Sequence, residues 1–166
     1  MLKADTINIY SDGGCRPNPG GPGGYGLVLE TLYQGKPYRK EIKKGFIAST
    51  NNRMELRGAI RGIEEVKKKV KINLHTDSGY VVNAFNKGWI YNWKKKNFMK
   101  KGKDIPNADL WKIIYELVEE NDVTFIWVKG HNGHPENERC DELATEALLE
   151  EAINVDEGFK KENYDL

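Results

Sequence analysis

The chain predicts a mixed α/β fold, a sheet flanked by helices, on three observations. Its first third reads as strands separated by glycine- and proline-rich turns. Two later stretches repeat apolar residues at helical spacing. A continuous apolar run at residues 123–128 lies between predicted helices. With 166 residues and 39% hydrophobic content, the chain suits one domain with a core of ordinary size.

Taken in order, residues 6–12 alternate, with Ile7 and Ile9 on one face. They then break at a glycine-rich stretch, residues 13–24, which also holds Pro17, Pro19 and Pro22. A strand ending in a long, shaped turn accounts for this pattern. Residues 25–33 and 38–46 read as two further strands joined by a turn at 34–37, so the opening is an antiparallel meander. From residue 51 to 69, Leu56, Ala59, Ile60, Ile63 and Val66 recur at helical spacing, and Gly58 and Gly62 permit close packing.

Residues 71–77 form the next strand, 78–86 a short helix capped by Ser78, and 108–120 another helix. The run at 123–128 lacks alternation, which predicts a strand covered on both faces. The last helix spans about 135–149, with Cys140, Leu143, Ala144, Ala147 and Leu148 inward. Residues 150–166 contain six acids and two lysines with few apolar anchors, and they predict a frayed, solvated tail. The expected division is therefore one globular domain over 1–150 and an acidic tail over 151–166.

Overall charge is +1, yet residues 87–103 hold seven lysines and no acid; this stretch is +7 and the remainder is net −6. The basic charge is local. No apolar run has the length of a membrane span and no signal peptide is recognisable, so a cytoplasmic protein without membrane association is expected. Two cysteines in a chain of this size read as free thiols, with Cys140 on an apolar stripe as a small buried hydrophobe.

Four carboxylates stand out. Asp12 and Asp77 end strand-like runs, while Glu55 and Asp141 border the apolar stripes of two helices. Strand ends and helix flanks of an α/β sheet converge on one edge, where gathered acids repel one another unless divalent cations neutralise them. Hard oxygen ligands suit Mg²⁺ or Mn²⁺. On the helical wheel alone, a plain helix-forming surface residue is the favoured reading of Glu55.

Four ordered motifs carry a resemblance: Ser11-Asp12-Gly13-Gly14-Cys15; Thr50-Asn51-Asn52-Arg53-Met54-Glu55-Leu56; Thr76-Asp77-Ser78; and the stretch from Val128-Lys129-Gly130-His131 to Glu138-Arg139-Cys140-Asp141. Together they resemble the type 1 ribonucleases H, closely the bacterial ribonuclease HI group, over residues 5 to about 150. The resemblance implies a five-stranded mixed sheet with helices on both faces. It also implies endonucleolytic hydrolysis of the RNA strand of an RNA/DNA hybrid, leaving 5′-phosphate and 3′-hydroxyl ends. By position, Asp12, Glu55, Asp77 and Asp141 match the family's ligands for two Mg²⁺ ions, with Mn²⁺ as a substitute. His131, in a glycine-flanked loop, resembles the family's mobile histidine, and imidazole titrates near neutrality as such a role needs. For His75 and His134 a structural role is expected.

The same resemblance assigns substrate contacts. Asn18, Asn51, Asn52 and the Cys15 backbone match minor-groove contacts that feel the 2′-hydroxyl, although capping and turn formation would also use these asparagines. Thr50 and Asn107 match a pocket for a DNA-strand phosphate. Trp89 and Trp93, interleaved with Lys94, Lys95 and Lys96, look like the family's basic protrusion, while a solvated lysine face over an aromatic core explains the composition equally well. The chain departs from the family pattern at Ala48, where a basic residue is common, at Gly79, where glutamine is common, and in Gly20-Gly21-Pro22, which is one residue longer. A monomer is expected. The other readings weighed are a non-catalytic hybrid-binding module, which should lack one of the acids, and a DNA-cutting relative on the same fold, which should lack the asparagine set and the protrusion.

Overall fold

The computed structural model describes residues 6–130 and 132–164. Strand β1 (Thr6–Cys15) pairs antiparallel with β2 (Gly23–Tyr33), and β2 with β3 (Lys36–Phe46), as the meander pattern predicts. Helix α1 (Asn51–Glu65) then returns the chain so that β4 (Lys71–Thr76) lies parallel to β1. After α2 (Gly79–Asn86), α3 (Trp89–Lys95), the small hairpin β5 (Met99–Lys100) and β6 (Lys103–Asp104), and α4 (Ala108–Glu120), strand β7 (Asp122–Trp127) adds parallel to β4. Helix α5 (Pro135–Glu150) leads to β8 (Ala152–Asn154), and a 3₁₀ turn occupies Lys161–Tyr164.

The sheet order is β7-β4-β1-β2-β3-β8. Five of these strands are the expected ones, and β8 is a short sixth, parallel to β3. It corrects the expectation of a frayed tail: the peptide groups of residues 152–154 reach the free edge of β3, where Ile47 N–H also donates to the Asn154 carbonyl. Acidic composition masked this, because pairing uses backbone groups that composition does not report.

Both sheet faces carry helices. On one face, Ile60, Ile63 and Met54 of α1 meet Ile9, Leu27, Ile72 and Leu74, with Trp111 and Ile114 of α4 behind them. On the other, Cys140 and Leu143 of α5 meet Val28. Two glycines permit the close approach of α5: a Cβ on Gly26 would fall 2.4 Å from the Cys140 carbonyl oxygen, and one on Gly45 2.2 Å from that of Ala147.

Helix α5 packs chiefly on β1, β2 and β3. The expectation of a doubly covered β7 is therefore corrected: it is an edge strand in which only Phe125 is buried and Trp127 is 55% exposed. An apolar run looks alike in sequence whether both faces or one is covered. Helix α1 ends at Glu65, four residues before the predicted end, where the chain turns extended at Val66 and three successive lysines follow. Among the described residues, no helix is long and apolar enough to cross a membrane.

Candidate active site

The parallel ladder between β1 and β4 ends at Ser11 and Thr76, where β4 stops and β1 runs on to Cys15 beside β2 alone. The next residues are Asp12 and Asp77. Helix α1 lays Glu55 beside them, since Gly13 lets the helix backbone touch the strand; a Cβ there would meet the Met54 carbonyl carbon at 2.5 Å. Asp12, Glu55 and Asp77 each offer a carboxylate oxygen, and these atoms all lie within 4.8 Å of one another.

Glu55 is held at both oxygens. Gly13 N–H donates to Oε1 at 2.6 Å and also to Asp12 Oδ1 at 3.0 Å, while the Thr76 hydroxyl donates to Glu55 Oε2 at 3.2 Å. Thr76 is fixed in turn by accepting from Ser78 N–H. Glu55 is 7% exposed, so it is no surface helix former. Asp77 is bracketed as well. Trp127 Nε1 donates to its carbonyl at 3.2 Å, and a Cβ on Gly130 would lie 2.7 Å from Asp77 Oδ2. Asp141, half-buried on α5, stands outside the tight trio, yet its charge reaches Asp12.

The electrostatics follow from this crowding. Burial first, then the charges of Asp77 and Asp141, push the Asp12 carboxyl up to about 7, against the hydrogen bonds from Glu55 and Gly13 that favour ionisation. Burial, then the neighbouring Asp12, hold Glu55 well above the usual carboxylate range. Without a cation, this crowding favours retention of a proton in the Asp12–Glu55 pair; three convergent hard oxygens are the donor set a divalent cation takes in exchange for it.

Beside this trio lies a polar rim. Asn51 Oδ1 accepts from Cys15 N–H at 2.7 Å, and Asn51 N–H donates to Asn18 Oδ1 at 3.0 Å. The Cys15 thiol points inward to the carbonyls of Pro17, Gly21 and Ser49, so only its backbone belongs to this rim. Thr50 caps α1 by accepting from Arg53 N–H, and Asn18, Asn51 and Asn52 are exposed. Asn107, at the start of α4, is joined to this helix by Arg53 Nη1, which donates to its Oδ1 at 3.2 Å.

The basic stretch combines both sequence readings. Lys94, Lys95 and Lys96 are solvent-exposed, whereas Trp93 packs on Trp111 with ring centroids 5.1 Å apart and Phe98 is buried. Trp89 stays 45% exposed with Lys87 over its ring. His131 lies outside the described residues. His75 stacks on Tyr10 and bonds Asn8, while His134 caps α5 by accepting from Asn137 N–H, so both make structural contacts.

Sequence reading missed the residues that hold others in place: Thr76, Trp127, Arg53, Tyr80 and Asp156. Thr76 could have been found, since it sits inside a recognised motif and alternates toward α1. Arg53 too lies inside a recognised motif, but its role, like those of Trp127, Tyr80 and Asp156, depends on long-range contacts that carry no local signal.

Comparison with known proteins places this geometry. Residues 4–149 match the family model described as RNase H. The ribonuclease H of Desulforamulus reducens is 50% identical over 151 residues, covering 90% of this chain and 92% of that protein. The ribonuclease HI of a Synechocystis strain is 44% identical over 158 residues, covering 95% and 96%. Among solved structures, LC9-RNase H1, a type 1 RNase H with the type 2 active-site motif, is similar with a TM-score of 0.77 at 30% identity, covering 90% of this chain and 74% of that one. LC11-RNase H1 in complex with an RNA/DNA hybrid gives 0.64 at 25% identity, covering 86% and 96%. A match this long, to relatives sharing up to half their residues with it, makes this chain a member of the type 1 ribonuclease H family.

Proposed function

We propose that this chain is a divalent-metal-dependent endoribonuclease that hydrolyses the RNA strand of RNA/DNA hybrids, leaving 5′-phosphate and 3′-hydroxyl ends. The observation that carries the reading is the convergence of Asp12, Glu55 and Asp77 within 4.8 Å where the parallel ladder of β1 and β4 ends. These three and Asp141 would hold two Mg²⁺ ions, with Mn²⁺ as a substitute. Bound there, the cations supply Lewis-acid chemistry: a more acidic attacking water and charge stabilisation of the departing 3′ oxygen.

The chain's own groups do the rest. Gly13 N–H and Thr76 Oγ1 keep the Glu55 oxygens aimed at Asp12, so little reorganisation is needed when the retained proton leaves. His131 is assigned the proton-transfer role on the strength of its motif. Asn18, Asn51, Asn52 and the Cys15 backbone read the RNA minor groove, where amides can both donate to and accept from a 2′-hydroxyl. Thr50 and Asn107 hold a DNA-strand phosphate. Lys94, Lys95 and Lys96 bind the DNA backbone through counterion release, while Trp89 and the outer face of Trp93 pack on sugar and base surfaces of that strand. A monomeric, cytoplasmic enzyme completes the reading.

The test is cleavage of an end-labelled RNA/DNA hybrid with Mg²⁺ or with EDTA, beside single-stranded RNA, duplex RNA and duplex DNA. Metal-dependent cutting confined to the hybrid's RNA strand is expected. Binding without cutting would instead mark a non-catalytic module, and cutting of duplex DNA a DNA-processing enzyme.

A further inference from the structure

The C-terminal segment does more than close the sheet edge. Asp156 has a fully buried side chain and accepts from four groups: Ser49 Oγ at 2.6 Å, Arg53 Nε at 2.8 Å and Nη2 at 3.1 Å, and Arg57 Nε at 2.6 Å. The Glu157 carbonyl accepts from both Arg53 and Arg57. Gly158 then carries the chain over the Arg53–Asp109 ion pair with φ +94°; a Cβ there would fall 2.1 Å from Asp109 Oδ2 and 3.0 Å from Arg53 Nη2. Any side chain there strains the backbone and must displace the segment or the ion pair beneath it.

Arg53, only 2% exposed, passes this constraint on. A guanidinium offers donors only, so the Asn107 atom at 3.2 Å from Nη1 must be its carbonyl oxygen. The amide nitrogen therefore faces the other way, and one of its two N–H groups goes to the Tyr80 hydroxyl at 2.9 Å, itself fixed by Trp111 Nε1 at 3.1 Å. The second N–H is left for an acceptor. Asn107 lines a cleft of about 500 Å³ between the start of α4 and the C-terminal segment, shared with Arg53, Asp104, Asp109, Lys160 and Asn163.

We propose that the C-terminal segment is a positioning element for hybrid binding: Asp156, acting through Arg53, sets the side-chain amide of Asn107 for the DNA-strand phosphate. This rests on the reading of Asn107 as a phosphate contact. Asp156 touches no substrate; it fixes the residue that does.

The experiment measures hybrid affinity by fluorescence anisotropy in EDTA, together with KM and kcat in Mg²⁺, for the wild type, Asp156→Asn and Gly158→Ala, all below their melting temperatures. The hybrids carry either a normal DNA strand or one with a single phosphate made neutral as a methylphosphonate, scanned along the strand. Wild-type preference for hybrid over duplex DNA tests the underlying reading separately. Asp156→Asn should weaken affinity and raise KM about tenfold, the loss of one charge-assisted contact, with kcat little changed. The methylphosphonate position that weakens wild-type binding should cost the variant little. Gly158→Ala keeps every charge and lifts the segment off Arg53; it should show the same selective loss, at about threefold, and it carries the test should Asp156→Asn not fold. Unchanged KM and affinity in the folded variants, or a loss equal at every methylphosphonate position, would overturn the proposal.

Discussion

Replacing Asp12 by asparagine should make the metal-free protein more stable while destroying its activity. The folded carboxyl is pushed to about 7 from an ordinary 3.8, so its ionised form is disfavoured by the fold. Below about pH 4 both folded and unfolded chains keep the proton and the residue has no effect on stability. As pH rises from there, the unfolded chain releases the proton first, and stability falls until the folded carboxyl also ionises near pH 7. Three pH units of displacement correspond to at most about 4 kcal/mol at about pH 8, and relaxation of the polar groups around the carboxyl brings this toward 2 kcal/mol. Asparagine keeps the Oδ1 acceptor for Gly13 N–H and removes the charge that also burdens Glu55. The expected gain of about 2–4 kcal/mol is a rise of roughly 5–15 °C in melting temperature for a chain of this size. Urea and thermal melts in EDTA at low salt, from about pH 4 to about pH 8, make the comparison. Added Mg²⁺ should stabilise the wild type and leave the variant nearly unmoved. A variant no more stable than the wild type at pH 8, or an advantage that persists unchanged at pH 4, would refute the account of a strained carboxylate cluster.

Three further outcomes are expected. Asp77→Asn should abolish hybrid cleavage while binding in EDTA persists, and cleavage above trace level would remove Asp77 from the metal site. Changing Lys94, Lys95 and Lys96 together to alanine should raise KM and lower the salt slope of binding by about two to three; Lys94 is already 3.8 Å from Glu116, so its share is the least. An unchanged slope would leave these lysines as a solvated face. Gly26→Ala places a methyl 2.4 Å from the Cys140 carbonyl oxygen and 2.6 Å from the Leu143 Cβ, next to Asp141. It should cost about 2–3 kcal/mol in denaturant melts and reduce kcat more than hybrid affinity, because α5 must lift. A variant of wild-type stability would show that α5 does not lie as close to β2 as described.

Much of this molecule is legible in its sequence because its signals are local. Alternation and turn chemistry mark β1, β2 and β3, helical periodicity marks α1, α4 and α5, and Ser78 caps α2 as expected, accepting from Val81 N–H. Four motifs pointed to Asp12, Glu55, Asp77 and Asp141. The short helix α3 has no periodic signal in a stretch whose composition is that of a basic patch; buried Ile90 and Trp93 packed on Trp111 hold it in place. What the sequence could not express is burial and reach. Whether Glu55 is a helix former or a ligand depended on α1 lying against Gly13. Whether residues 123–128 are covered on both faces depended on how far α5 extends across the sheet. Above all, an acidic stretch that composition marks as solvated is anchored because one of its carboxylates, Asp156, meets Arg53 and Arg57 from α1 some hundred residues earlier. Sequence by itself determined the main strands and helices, the family and the acids; tertiary structure alone decided which charges are buried together, since pairing across the fold outweighs the local preference of any charged residue for water.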